Sequence, residues 1–480
     1  MNTYRQHING DWVDASNGGV WPVVNPATEE VVREVPYGTD ADCTRALEAA
    51  HAAFPAWREA TPYERAAVLD RTAGLIRANV DALAHTTVLE SGKPLVQARG
   101  EWLVAADLFQ WFAEEGKRAY GRVIPSRVPT KRMLVLKQPL GVVGLITAWN
   151  FPAYNVARAG AAALAAGCTI VMRPSEYTPL TAMDLMRMLA EAGLPPGVAN
   201  LVNGEPGPMG QAMLAHPACA KIHFTGSSRV GKLLMDGASK TVTRLSLELG
   251  GNAPVLIFPD VDLDQVVAGA TAAKFRNGGQ VCISPQRFLV AADAAPAFTA
   301  KVSAAVAALR VGPGLDPQTH VGPLINAKQR DRVEALVADA RAAGAAVPIG
   351  GGRPAQPPTG YFYQPTVVAN VSPEMALYRE EIFGPVLPVS TFDGVDHAVA
   401  LANQTRYGLA AYVWTNHLPT ALRVAERLEF GMVGVNEWSP SATEAPFAGW
   451  KESGLGRESG AEGIEEYLET KLVAIGGVPR

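Results

Sequence analysis

The stretch Gly141–Pro174, GVVGLITAWNFPAYNVARAGAAALAAGCTIVMRP, decides the fold. GVVGLITAW is an apolar run without polar alternation, the pattern of a strand buried on both faces. NVARAGAAALAAG places small and apolar residues at helical spacing and stops at Gly167, a helix terminator. CTIVMRP is a second buried-type strand. Strand, helix and strand in this order make a βαβ unit, which demands a parallel pairing and a right-handed crossover.

The alternation continues downstream. TPLTAMDLMRMLAEAG and SRVGKLLMDGAS read as helices, and VANLVNG, KIHFTG and TRLSLELGG as strands. A second series begins at APVLIF and includes the helix DLDQVVAGATAAKFRNGG, the strand RFLVAAD and Ala-rich helices near 296–309 and 326–344. Strands recur at YFYQPTVV, VLPVSTF, GLAAYVWTN and MVGVN. Upstream, QHINGDWV and WPVVNPATEEVVREVPYG read as hairpins. Residues 41–118 read as helices, one of them starting at Pro62 after Thr61. The expected fold class is α/β with two parallel-sheet domains.

Composition narrows the function classes. A chain of 480 residues, 48% hydrophobic and 18% charged, is ordinary for a soluble globular enzyme of two to four domains. A net charge of −4 argues against nucleic-acid or membrane partners. No apolar run reaches transmembrane length, and MNTYRQHINGDW lacks the apolar core of a signal peptide. Cys43, Cys168, Cys219 and Cys282 are scattered, with no metal-ligand or disulfide spacing, which fits a reducing cytoplasm.

One of these thiols stands apart. Cys168 lies in an apolar strand and reads as core. Cys282, in KFRNGGQVCISPQ, is surrounded by Gly, Asn, Gln and Arg, which suit a lined cavity. Gly278 and Gly279 let the backbone bend there. Glu248 in SLELGGNAP is a carboxylate in an apolar strand, either an edge group facing water or a buried general base. Gly250 and Gly251 beside it allow a close approach. Asn150 follows a strand and is either a turn cap or an oxyanion donor. Gly226 and Ser227 open a helix, as a structural cap or as a phosphate cradle. Arg173 and Glu176 follow a strand, as a solvated pair or as a ribose contact.

Taken together, these residues describe an aldehyde oxidation. The Cys282 thiolate attacks a carbonyl carbon, and Asn150 and the Cys282 backbone N–H stabilise the oxyanion. Hydride leaves to a nicotinamide, and Glu248 activates the water that hydrolyses the thioester.

In the motifs AWNFP, MRPSEYTP, FTGSSRVG, LELGGNAP, FRNGGQVC, EEIFGPVLPV and PFAGWKESGLGRESG the chain resembles the aldehyde dehydrogenase superfamily over essentially its whole length. WFAEEGKRAYGRVIP and LELGGNAPVLIFPDVDLD are most similar to succinate-semialdehyde dehydrogenases. FAGWKESG is also similar to lactaldehyde and glycolaldehyde dehydrogenases. The resemblance implies an aldehyde dehydrogenase-like fold of two doubly wound α/β domains plus a small β oligomerisation arm. The NAD-binding domain would take 1–118 and 140–247, the catalytic domain 248–458, and the arm 119–139 and 459–480. It implies Cys282 as nucleophile, Glu248 as base and Asn150 as oxyanion amide. Cofactor contacts would come from Trp149, Arg173, Ser175, Glu176, Gly226, Ser227, Gly250, Glu381 and Phe383. The substrate carboxylate would meet Arg158, Arg276 and Ser441. The implied cofactor is NAD, with NADP possible, no metal is called for, and the implied assembly is a homodimer or homotetramer.

Three departures stand out. Arg173 replaces the usual lysine, Ser284 replaces a second cysteine, and the bulky Trp438 stands where a small residue is usual, as if to reshape the substrate pocket. A neutral or aromatic aldehyde is therefore the alternative substrate. A CoA-acylating enzyme is disfavoured by Glu248. A cysteine hydrolase lacks a recognisable partner histidine, and a silent binding relative would not keep nucleophile, base and amide filled. The low thiol pKa typical of a reactive cysteine is expected at Cys282.

Overall fold

The apolar runs become the centres of two sheets. In the computed structural model, which describes residues 4–478, Val142–Ile146 and Thr169–Arg173 are buried at every position, as are Ala253–Ile257 and Ala410–Trp414. Residues 1–3 of the expected first domain and 479–480 of the expected arm lie outside the described residues. Burying a Val, Leu or Ile side chain contributes about 1.5–3 kcal/mol, so these strands anchor both domains.

The first sheet has eight strands. Its central five are parallel, in the order Ala199–Leu201, Thr169–Arg173, Val142–Ile146, Cys219–Thr225, Arg244–Glu248. The chain thus winds one way from Val142–Ile146 and then returns to its other side, leaving a crevice at the carboxyl ends of Val142–Ile146 and Cys219–Thr225. Helix Pro152–Ala166 is buried along almost all of its length. Its alanines let it lie close to the sheet beneath helix Leu95–Glu115, and it ends on Gly167 at φ +95°.

The second sheet repeats the winding. Its central strands run Val386–Phe392, Pro285–Ala291, Ala253–Ile257, Ala410–Trp414, Met432–Val435, all parallel. Thr366–Ala369 extends it in parallel and Ala346–Ile349 closes it antiparallel. YFYQPTVV forms a strand only over its last part, because the turn residues before Thr366 bridge instead to the loop at Gly352.

A separate antiparallel sheet joins Leu468–Ile475, Arg132–Pro139 and Arg122–Ile124. Val123, Leu136, Leu472 and Ile475 are exposed on it. Two expected boundaries shift. Gly454–Leu455, expected in the catalytic domain, adds an antiparallel strand to the first sheet beside Leu247 and Glu248. The expected arm segment from 459 starts as packing for the first domain, with helix Glu462–Glu465 against its core, and becomes strand only at Leu468. Among the described residues, no helix is long and apolar enough to cross a membrane.

Candidate active site

The carboxyl ends of the first sheet face the amino ends of the second. Glu248 is the last residue of its strand, whereas Cys282 precedes Pro285–Ala291 and Glu381 and Phe383 precede Val386–Phe392. Between them lie two cavities of about 560 and 390 Å³ that share Asn150, Glu248 and Cys282 as walls.

Local backbone explains how the thiol reaches this junction. Helix Leu263–Phe275 gives way to a tight turn in which Asn277, Gly278 and Gly279 all have positive φ. A side chain on Gly279 would collide with the Gly384 carbonyl. Asn277 tolerates the left-handed region because its amide donates to the Asn150 carbonyl at 3.0 Å. The twin glycines after Glu248 serve the same close approach. A Cβ on Gly251 would strike the Cys282 carbonyl, and one on Gly250 would come within 2.6 Å of the Glu381 carboxylate. Glu381 in turn accepts from the Gly251 N–H at 2.9 Å.

The oxyanion loop is clamped from behind. Lys93 donates to the Asn150 carbonyl at 2.7 Å, and its partner Glu101 accepts from the Ala153 N–H at 2.8 Å. Asn150 donates through its own amide to the Gln280 carbonyl at 3.1 Å. Lys93, Glu101, Gln280 and Asn277 were not singled out from the sequence. Lys93 and Glu101 lie eight apart, a spacing without a local signature, and only packing makes them a pair.

Burial dominates the electrostatics. It pushes the Glu248 carboxyl up to about 8, against the pull of the Arg158 guanidinium. Burial also pushes the Cys282 thiol well up, and the adjacent, hydrogen-bonded Glu248 adds to it while Arg158 opposes. The expected low pKa is therefore corrected: in this arrangement burial holds the thiol up, and Glu248 is the carboxyl placed against it. Burial pushes Glu381 up to about 7.

The larger cavity suits a dinucleotide. Gly226 and Ser227 line it at the start of helix Ser228–Ala238, where Ser227 caps by accepting from the Val230 N–H. Such a helix start favours phosphate. The Thr225 hydroxyl is buried there without a partner. Trp149 and Phe383 meet edge to face at 5.4 Å, and Gly250 and Glu381 complete the wall. Leu249, Gln329, Arg332, Arg406 and Tyr407 also line it and went unread in the sequence. Arg173, Ser175 and Glu176 are not part of that lining. Arg173 is pinned, with Nη2 2.6 Å from the Gly204 carbonyl and 2.9 Å from Glu176.

The smaller cavity holds Arg158, Arg276 and Ser441, together with Tyr154, Phe151 and Phe447. Trp438 is absent from it, which corrects the expectation for that residue. Its indole stacks on Trp414 at 4.9 Å and lies beside Tyr412 and Phe288. Gly269 of the helix Leu263–Phe275 leaves the room, since a Cβ there would strike the ring. A small residue on the helix thus admits the bulky one.

The family model for the aldehyde dehydrogenase family matches residues 12–473. The chain is 45% identical over 474 residues to a glutarate-semialdehyde dehydrogenase of Pseudomonas putida, covering 98% of each. It is 45% identical over 478 residues to the succinate-semialdehyde dehydrogenase [NADP(+)] of Escherichia coli, covering 99% of this chain and 98% of the other. The crystal structure of betaine aldehyde dehydrogenase from Staphylococcus aureus in complex with NAD+ superposes with a TM-score of 0.97 at 36% identity, covering 99% of this chain and 96% of that one.

Proposed function

This chain belongs to the aldehyde dehydrogenase family, and from that premise we propose that it oxidises a short aldehyde bearing a distal carboxylate, of the succinic or glutaric semialdehyde class. The observation that carries the reading is the smaller cavity, where two guanidinium groups lie on the far side of Cys282. Arg276 is exposed, lies over the Phe151 ring at 5.1 Å, and pairs with no carboxylate among the described residues. An unpaired cation at the cavity is matched by an anionic substrate end. Ser441 adds a hydroxyl. The aromatic-aldehyde alternative rested on Trp438, which lies elsewhere.

Cys282 is the nucleophile in this proposal. Glu248 takes its proton as sulfur bonds to the aldehyde carbon, and Asn150 and the Cys282 N–H hold the resulting oxyanion. Trp149, Gly226, Ser227, Gly250, Glu381 and Phe383 would hold the nicotinamide dinucleotide, which when bound supplies the acceptor for the hydride whose loss converts the thiohemiacetal to a thioester. Once Glu248 has released the thiol's proton to solvent, it draws a proton from water, whose oxygen attacks the thioester carbon; the acid leaves and the proton passes to sulfur, restoring the Cys282 thiol. NAD is the favoured form, because Glu176 would repel a 2′-phosphate and Arg173 is already committed to Glu176 and Gly204. Ser175 sits beside this pair. A cytoplasmic homodimer or homotetramer is supported by four free cysteines and by the exposed apolar residues of the three-stranded arm.

The test is steady-state reduction of NAD and NADP with succinic semialdehyde, glutaric semialdehyde and butyraldehyde. The semialdehydes should give the lower KM, and Arg276→Ala should raise it about 10- to 100-fold for them while sparing butyraldehyde. A wild-type enzyme that handles butyraldehyde better than either semialdehyde would sink the carboxylate reading.

A further inference from the structure

Behind the smaller cavity runs a row of buried polar side chains, three of which the chemistry above leaves unused. Nη2 of Arg158 is 2.9 Å from Oε2 of Glu458. The other oxygen of Glu458 is 2.7 Å from Nε2 of His223. Nδ1 of His223 is 3.1 Å from the Tyr467 hydroxyl. Arg158 and His223 are each 1% exposed and Glu458 6%. The row crosses four segments: helix Pro152–Ala166, the bridge of Glu458 to Phe447, strand Cys219–Thr225, and the residue before the arm strand Leu468–Ile475.

A histidine in the middle of a parallel sheet is costly unless both nitrogens are used. With the Tyr467 hydroxyl as donor to Nδ1, the ring hydrogen sits on Nε2, on the side of Glu458. Glu458 then has one oxygen toward a donor and one toward Arg158. Burial alone would raise its carboxyl, but Arg158 and His223 outweigh that and hold it below its ordinary value.

Two carboxylates compete for one guanidinium here. Nη2 of Arg158 is 2.9 Å from Glu458 and 3.9 Å from Glu248. Nε and Nη1 of Arg158 make no hydrogen bond, the guanidinium lies over the Phe447 and Tyr154 rings at 4.1 and 4.7 Å, and the residue lines the cavity. A Glu458 free to turn away would release the guanidinium to Glu248, the nearest other carboxyl, and withdraw those donors from the cavity.

We propose that His223 is a positioning residue: its Nε2, 2.7 Å from Glu458, fixes that carboxylate, which holds the Arg158 guanidinium off Glu248 and keeps its Nε and Nη1 available to the substrate's distal anion. The proposal rests on the reading that the cavity takes an anionic aldehyde. It assigns to His223 and Tyr467, which touch neither substrate nor cofactor cavity, a part in substrate selection.

The experiment compares KM and kcat for succinic semialdehyde and for butyraldehyde, its neutral counterpart of equal length, in the full-length enzyme. His223→Leu should raise the KM for succinic semialdehyde about tenfold, the size of one lost charge-assisted contact, with butyraldehyde changed by less than about threefold. His223→Gln, which returns an N–H donor near the Nε2 position, should recover most of the loss. Tyr467→Phe should raise the KM ratio in the same direction by a smaller factor, and it decides the matter if His223→Leu does not fold. An unchanged ratio in His223→Leu, or in Tyr467→Phe where that variant decides, overturns the proposal, as does an equal rise for both aldehydes. A wild-type enzyme with no preference for succinic semialdehyde overturns the carboxylate reading and this inference together. A preference that survives the variants overturns this inference alone.

Discussion

The two parallel sheets share one winding and are used at opposite ends. In the first, the crevice at the carboxyl ends of Val142–Ile146 and Cys219–Thr225 opens into the larger cavity, through Trp149, Asn150, Gly226 and Ser227. The corresponding crevice of the second sheet, between Ala253–Ile257 and Ala410–Trp414, is stitched shut. Asp260 accepts from the Thr415 hydroxyl at 2.8 Å and the Asn416 N–H at 2.9 Å, and Asn436 accepts from the Thr415 N–H at 3.1 Å. What the second sheet contributes comes from its amino ends, where Cys282 and Glu381 sit in loops entering strands. Winding alone therefore offers a site at each sheet, and the loop chemistry decides which is open. Gly-Ser after a strand opens the helix Ser228–Ala238, whose start favours an anion, whereas Pro-Asp and Thr-Asn satisfy their own polar groups.

The comparison breaks most visibly at Cys282. Cys282→Ala should lower aldehyde oxidation by about 10⁴-fold or more, while dinucleotide binding, measured by fluorescence titration, stays near wild type because the first sheet supplies most of that cavity. Loss of both together would mean that the two ends do not work independently.

Glu248, at the carboxyl end of the first sheet, comes next. Glu248→Gln should slow turnover by about 10²- to 10⁴-fold and leave a burst of reduced cofactor in rapid mixing. The working form is the carboxylate and burial holds its carboxyl up at about 8, so wild-type turnover should rise with pH through that value and fall below it. The glutamine variant should flatten the limb. A wild-type rate already level below pH 7 would remove Glu248 from the base role.

Gly251→Ala tests the seam between the sheets, because the new methyl displaces the Cys282 carbonyl. A shift of that kind should cost about 10- to 100-fold in kcat/KM and, from the overpacked seam, about 1–3 kcal/mol of stability, read by kinetics and a melting curve side by side.

The closed crevice should respond in stability alone. Asp260→Ala should cost about 1 kcal/mol by denaturant titration, for the loss of its turn hydrogen bonds, with kcat and cofactor affinity unmoved. A change in cofactor affinity would show that the second crevice is not inert.

Much of this was legible in the sequence because it depends on local pattern. Uniformly apolar runs of five residues bounded by turns match two-faced buried strands, and their alternation with helices favours parallel winding twice over. Cys282 among polar and glycine residues, Glu248 before twin glycines and Asn150 after a strand carried enough residue chemistry to suggest one reaction. Trp438 misled, since the residue that receives it, Gly269, is remote in sequence and unremarkable there.

The tertiary structure decided what depends on desolvation and long-range pairing. The thiol of Cys282 is held up because packing removes water and brings a carboxyl from a strand of the other domain against it. Lys93 becomes a clamp on Asn150 only through Glu101, and Glu458, His223 and Tyr467 become one row only because segments some 300 and 240 positions apart close on each other. Backbone periodicity is a property of neighbours along the chain. The energy of a buried charge is set by everything around it in space, and no stretch of sequence contains that neighbourhood.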